Sequence, residues 1–305
     1  MAVGDPWHHG GERVVRIDGA RISLFEAGRR GGPALLLLHG LGGCWQNWYA
    51  NIAPLAAAGH HLIVPDLPGF GRSDPAPGSV SISAYADTIA ALCDRLEHGR
   101  VVVVGNSMGG FIAAELALRD PERVAGLVLV SPAGMCAREL WRGRALPIAR
   151  TPVPLVMPFL FRATAQLADV VAAVPALRTV LLREIFANPG GVDPDSLRHS
   201  LRGSGRPHGY AGALRAILSY DLQDALTGVT APALVIHGED DRLVPLEHAR
   251  RFHRALGGSR LEVWPGVGHA PMLEAPARFN ECLADFVAGL AAPGHPARAL
   301  PAIAA

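Results

Sequence analysis

The chain contains no lysine: all 28 of its basic residues are arginine. Schiff-base and pyridoxal-phosphate chemistry both need a lysine amine, so both are excluded. Cysteine is scarce as well. Cys44, Cys93, Cys136 and Cys282 are widely separated, with no Cys-x-x-Cys pair and no metal-ligand spacing. Reduced, mostly buried thiols and a cytoplasmic location are the expectation. No apolar run reaches the length of a membrane-spanning helix, because Pro, Gly or Arg cuts every candidate. The first eleven residues are polar and rich in His and Gly, so no signal peptide is expected there. A formal net charge of +1 leaves no strong excess of either sign, which argues against a general nucleic-acid binder. No Gly-rich phosphate loop is present and no His/Cys/Asp cluster has metal spacing, so neither cofactor nor metal is expected.

What is there is apolar in alternation. Half of the 305 residues are hydrophobic, enough for one large domain or for a core with a substantial insertion. Arg13 to Ile17 and Arg21 to Ala27, joined at Asp18-Gly19, read as an opening hairpin. Ala34 to Leu38, His61 to Val64 and Val101 to Val104 are continuous apolar runs, as in parallel strands covered on both faces. Val124 to Val130, Ala233 to His237 and Leu261 to Trp264 add three more strands. Helical patterns alternate with them at Tyr85 to Leu96, Gly110 to Arg119, Leu246 to Leu256 and Ala277 to Leu290. Such alternation predicts a doubly wound α/β domain. It breaks between Gly134 and Gly209, where scattered prolines separate short helical pieces. That stretch reads as a helical insertion after the sixth strand. The expected division is therefore a core over 1–133 and 210–290, a helical cap over 134–209, and a mobile, Ala/Pro-rich tail over 291–305.

The residues that carry chemistry sit at strand ends. Gly105-Asn106-Ser107-Met108-Gly109 has the G-x-S-x-G spacing and lies between a β-branched run and a helical stretch. That is the strand–turn–helix setting in which a tight turn strains the serine and lifts its hydroxyl above the sheet. A serine needs a base within hydrogen-bond reach and an acid to orient the base. His269 follows the last predicted strand in a Gly-flanked loop, and Glu239, Asp240 and Asp241 follow the strand before it. Both loops are expected at the sheet edge of Ser107.

With these motifs the chain resembles the α/β-hydrolase fold superfamily over nearly its whole length. The resemblance rests on His39-Gly40, the block Asp66-Leu67-Pro68-Gly69-Phe70-Gly71-Arg72-Ser73, the elbow, the Gly238-x-x-Asp241 loop, and Gly268-His269-Ala270-Pro271-Met272-Leu273-Glu274-Ala275-Pro276. It implies a mostly parallel eight-stranded sheet flanked by helices, with a helical cap after strand 6. It implies a triad of Ser107, Asp241 and His269, with Asp240 and Glu239 as the alternative acids; Ser131-Pro132-Ala133-Gly134 offers none. It further implies an oxyanion hole made by the backbone N–H groups of Leu41 and Met108. His39, His237, Asp66 and Arg72 read as loop-fixing residues, the last two as an ion pair, and Trp45 and Trp48 as core.

Serine at position 107 argues against the epoxide-opening and dehalogenating relatives, which carry aspartate there. The leading expectation is a serine hydrolase cleaving a carboxylic ester of a small-to-medium, largely apolar substrate through an acyl-enzyme. Its alternative is a carbon–carbon hydrolase of the meta-cleavage-product type, which Leu182 to Pro189 resembles. Against that, such enzymes usually carry tryptophan after the catalytic histidine, where Ala270 stands, and their carboxylate-binding arginine has only Arg183, Arg198 and Arg202 as candidates. The second alternative is a ligand-binding relative without turnover. Between Gly134 and Gly209 ten arginines face five acids. Arginines on a solvated face of a cap explain this, and weak contact with a lipid surface is the further reading.

Overall fold

Eight segments pair into one sheet in the computed structural model, which describes residues 4–31, 34–135 and 153–291. In chain order they are β1 (Gly10–Ile17), β2 (Ala20–Ala27), β3 (Ala34–Leu38), β4 (Leu62–Pro65), β5 (Val101–Asn106), β6 (Val124–Val130), β7 (Ala233–Gly238) and β8 (Arg260–Trp264). Across the sheet the order is β1-β2-β4-β3-β5-β6-β7-β8. β2 runs antiparallel to both β1 and β4, and every other pair is parallel. The hairpin turns at Asp18 and Gly19, both at positive φ (49° and 84°), as a two-residue turn between twisted strands requires.

The apolar runs explain the layers. Side chains alternate across a strand, so a run apolar at every position feeds two cores. Leu36, Leu38, Val101 and Val103 join one cluster; Leu35, Leu37, Val102 and Val104 join the other. All eight are fully buried, each worth roughly 1.5–3 kcal/mol relative to exposure. On the first face lie α2 (Ile82–Arg95) and α3 (Met108–Arg119), and on the second α1 (Tyr49–Ala57), which carries Ile52 and Leu55 into the core. α2 starts three residues before its periodicity suggests, because the Ser81 hydroxyl accepts the Ala84 N–H at 3.0 Å and caps it.

Between β6 and β7 the described chain is helical: α4 (Val153–Gln166), α5 (Ala168–Ala173), α6 (Pro175–Leu182), α7 (Pro194–Gly203) and α8 (Tyr210–Ser219). Val171, Leu182, Phe186, Leu197 and Leu201 of this stretch pack into the same cluster as Trp45 and Trp48. α9 (Leu246–Ala255) joins β7 to β8, and α10 (Pro271–Glu274) and α11 (Pro276–Ala291) complete the described chain. Residues 136–152 of the insertion and 292–305 of the expected tail lie outside the described residues. Among the described residues no helix is long and apolar enough to cross a membrane.

Candidate active site

β5 delivers Ser107 at the middle of the sheet. Ser107 has φ 54° and ψ −114°, a conformation that an L-residue holds only when its surroundings leave no alternative. The surroundings are the two glycines of the turn. A Cβ on Gly105 would overlap the Gly109 carbonyl, and one on Gly109 would overlap the carbonyl of Leu38 on the neighbouring strand. The Ser107 backbone is further held by its N–H on Val130 O (2.9 Å) and by Phe111 and Ala133 N–H groups on its carbonyl (3.1 Å each). Met108 is the first residue of α3, where a helical N–H has no partner within the helix and the helix end favours negative charge.

β7 and β8 deliver the other two groups. The Asp241 carboxylate is fully buried and its Oδ2 accepts from His269 Nδ1 at 2.7 Å. Its Oδ1 accepts the Leu243 and Val244 N–H groups, both at 2.9 Å, so the acid is aimed by its own turn. Burial works to raise the Asp241 pKa. It is outweighed by the charge and hydrogen bond of His269, by His237 and by the Val244 amide, and the carboxyl stays below its ordinary value. With Nδ1–H donating its hydrogen bond to Asp241, His269 keeps Nε2 as an acceptor. Of the alternative acids, Asp240 turns its carboxylate to the Gly266 N–H (2.9 Å), and Glu239 is exposed.

Asn106 ties the histidine loop to the elbow, and the sequence did not single it out. Its Nδ2 donates to Val130 O and to His269 O, both at 3.1 Å. The remaining expected group, Leu41, is positioned through His39. The buried His39 ring donates Nδ1–H to Gly40 O at 2.8 Å and accepts the Leu67 N–H on Nε2 at 2.9 Å. Gly43 N–H also donates to Gly40 O, at 3.0 Å. In a trans peptide C=O and N–H point oppositely, so the Leu41 N–H is turned away from His39. Gly40 itself lies against Ser107: a Cβ there would come within 3.2 Å of the serine Cβ. Burial pushes the His39 pKa down to about 4, so the ring is neutral, as its two partners require.

Other expected roles divide. His237 fixes its loop by donating from Nε2 to Val244 O at 3.0 Å. Trp45 and Trp48 are buried in the core, Trp45 stacked on Phe25 with centroids 4.4 Å apart. The ion pair expected between Asp66 and Arg72 is not made. Asp66 takes the Trp45 and Arg72 main-chain N–H groups (2.8 Å each), while the Arg72 guanidinium pairs with Glu12 of β1. Arg183 pairs with Glu184, Arg198 with Asp169 and Asp195, and Arg202 with Asp169. Among the described residues of the insertion the buried arginine is instead Arg178, whose guanidinium donates to Gly190 O and Val192 O. Among the described residues no group of three or more His, Cys, Asp or Glu side chains is placed to hold a metal ion.

Comparison with known proteins agrees with this fold. Residues 33–276 match the family model for the alpha/beta hydrolase fold. A 2-hydroxy-6-oxo-6-phenylhexa-2,4-dienoate hydrolase of Burkholderia cepacia is 32% identical over 274 residues, 88% of this chain and 91% of that protein. Among solved structures, the N-acyl homoserine lactone degrading enzyme Est816 is 29% identical with a TM-score of 0.68, covering 90% of this chain and 100% of that one. A thermophilic esterase from Thermogutta terrifontis is 25% identical with a TM-score of 0.67, covering 93% and 99%. The chain is a hydrolase-fold protein and belongs to the alpha/beta hydrolase fold family.

Proposed function

We propose that the protein is a serine hydrolase that cleaves a carboxylic ester of a small-to-medium, largely apolar substrate through an acyl-enzyme. The observation that carries this reading is the 2.7 Å bond between buried Asp241 and His269, on a loop that Asn106 ties to the turn holding a serine at φ 54°. His269 Nε2 takes the Ser107 proton as the hydroxyl oxygen attacks the acyl carbon. Asp241 holds the ring in its tautomer and stabilises the imidazolium that forms. The tetrahedral oxyanion is held by the N–H groups of Leu41 and Met108. His269 then gives its proton to the leaving alcohol, and water repeats the sequence on the acyl-enzyme to release the acid and free Ser107.

Residues 134–209 act as a cap in this reading. The Phe161 ring of α4 lies against Gly42 of the oxyanion loop, where a Cβ would come within 2.6 Å of it, so an apolar group covers that side of the site. Phe159 and Val180 on the outside of the same insertion are 69% and 71% exposed, which supports weak contact with a lipid surface as a secondary property. A cytoplasmic location remains part of the reading.

Hydrolysis of a p-nitrophenyl ester series from acetate to palmitate, with Ser107→Ala as control, tests the proposal. Turnover that depends on Ser107 supports it, and the optimum chain length reports the depth of the pocket. The second reading, a carbon–carbon hydrolase acting on vinylogous dioxo-acids, is favoured by the Burkholderia cepacia relative. It is opposed by Ala270 after His269 and by the acids already paired to Arg183, Arg198 and Arg202. A series that stays silent while a fluorophosphonate still labels Ser107 would transfer the assignment to it. No turnover on either substrate class would leave a ligand-binding relative.

A further inference from the structure

Glu274 closes the motif that begins at Gly268-His269, and the chemistry proposed above leaves it unused. It ends α10, and its carboxylate faces inward. Oε1 accepts the Gly268 N–H at 2.9 Å; Oε2 accepts the Ala187 N–H at 2.7 Å and the Asn188 N–H at 3.4 Å. The Ala270 N–H also hydrogen-bonds this side chain. Glu274 therefore straddles the histidine, bound to the residue before it and the residue after it. The intervening amide, that of His269, donates to Ile185 O at 2.8 Å. Three consecutive N–H groups of the histidine loop are thus all committed, two to Glu274 and one to the insertion. Gly268 permits this closeness: a Cβ there would stand 2.6 Å from Ala187 N and 2.8 Å from Ile185 O. A third tie runs from the acid's loop, where the Arg242 guanidinium donates to Arg183 O at 3.2 Å.

The carboxylate is a costly choice for simple glue. Burial alone pushes the Glu274 pKa up, and the four amides work to bring it back. An ionised acceptor makes hydrogen bonds roughly twice as strong as a neutral one, and four amides aimed at one group fix two chain segments against each other. The peptide planes on either side of the His269 Cα set the direction of its Cβ. Their orientation therefore sets where Nε2 points once Nδ1 is bonded to Asp241. The same carboxylate sets where residues 185–188 of the insertion sit.

We propose that Glu274 is a positioning residue: its carboxylate locks the main chain flanking His269 to the Ile185–Asn188 segment, so that the aim of the base and the seating of the insertion over the site are one coupled property. The proposal rests on the assignment of Ser107 as nucleophile and His269 as base. A substrate that seats this segment thereby also seats the histidine, and a loosened segment leaves the base misaimed.

The test is the kinetics of covalent labelling of the full chain by a fluorophosphonate, which requires His269 to activate Ser107 and does not depend on the natural substrate. Wild type, Ser107→Ala, Glu274→Gln, Glu274→Asp and Gly268→Ala are compared, each with its thermal midpoint. Glutamine keeps the shape of Glu274 but turns an NH2 group toward a backbone N–H. The expected result is a maximal labelling rate about 10- to 100-fold lower in Glu274→Gln, as for a misplaced catalytic group. The probe concentration for half-maximal rate stays within about twofold, and Glu274→Asp recovers part of the loss. A merely structural role would lower the thermal midpoint and leave the maximal rate of the folded protein unchanged, and that result overturns the proposal. Should Glu274→Gln fail to fold, Gly268→Ala decides. Its Cβ wedges the two segments apart with Glu274 intact, so a lowered maximal rate supports the lock and a wild-type rate overturns it. Labelling of Ser107→Ala at the wild-type rate would overturn the site assignment, and this proposal with it. Ser107-dependent labelling that Glu274→Gln leaves unchanged overturns the lock alone.

Discussion

At the scale of the residue, the site is a set of side chains whose partners leave each of them one orientation. Asp241 spends one oxygen on its own turn and the other on His269, so the ring cannot rotate without breaking a buried charge-assisted bond. Asp241→Asn preserves the shape but offers an amide where the ring must donate, which favours the wrong tautomer. The expected outcome is a fall in kcat of about 10³- to 10⁴-fold with KM within a few-fold; steady-state kinetics on the best ester of the series checks it, and near-wild-type kcat would remove Asp241 from the mechanism. Positions 107, 241 and 269 stood out as candidates because each sits at a fixed offset from glycines that the loop geometry demands. The choice among Glu239, Asp240 and Asp241 rested on the resemblance, and the geometry adds the reason: only the third has its carboxylate turned to the ring. Arg72 was misread for a physical reason. Neighbours in sequence need not be partners: the Asp66 oxygens are taken by the Trp45 and Arg72 main-chain N–H groups, and Glu12 on the first strand takes the guanidinium. Asn106 occupies the variable position of the elbow, and its bond to His269 O joins residues 163 apart, which no local pattern announces.

At the scale of the element, β5, the turn and α3 behave as one rigid unit. The strand is buried throughout, and α3 begins one residue after Ser107. The turn closes only because Gly109 passes against β3. Gly109→Ala would set a methyl group on the Leu38 and His39 carbonyls. The expected loss is about 3 kcal/mol or more, in the class of substitutions that force backbone apart at a strained site. Urea unfolding measures it, and a change under about 0.5 kcal/mol, the range of ordinary surface substitutions, would mean the turn relaxes freely. The central strands were readable because short, β-branched or leucine-rich apolar runs bounded by Gly and Pro suit strands covered on both faces. Helix starts were less so: α2 begins where the Ser81 cap sits, ahead of the first residue its periodicity reveals. The described part of the insertion is helical as its composition suggested, whereas its ties to the histidine loop run through main-chain groups that side-chain patterns do not encode.

At the scale of the whole molecule, burial of ionisable groups sets how stability follows pH. Burial takes His39 down to about 4, and it lowers His60, His98, His199 and His237 as well. An unfolded histidine titrates near 6.5, so between about 6.5 and 4 the unfolded chain binds protons that the folded chain refuses. The stability these groups contribute is complete above about pH 6.5 and is lost as pH falls toward 4. Asp66, raised by burial to about 6, and Glu274, also raised by burial, have the opposite sign: they hold protons in the folded state, and their contribution fades as pH rises. Five groups oppose two. Stability is therefore expected to fall from pH 7.5 to pH 5.0, with His39 alone accounting for about 2 kcal/mol; urea midpoints at the two pH values check this, and a higher midpoint at pH 5.0 would contradict it. The eight strands of the sheet were legible as segments, because most of them are apolar runs bounded by Gly, Pro or polar residues, whereas their order across the sheet was not. The most direct measurement is p-nitrophenyl ester hydrolysis by wild type and Ser107→Ala, with fluorophosphonate labelling of both. The account predicts turnover and labelling in wild type, a loss of about 10³-fold or more in Ser107→Ala, and an unlabelled variant with an unchanged fold. Ser107→Ala that hydrolyses the esters at the wild-type rate would contradict it.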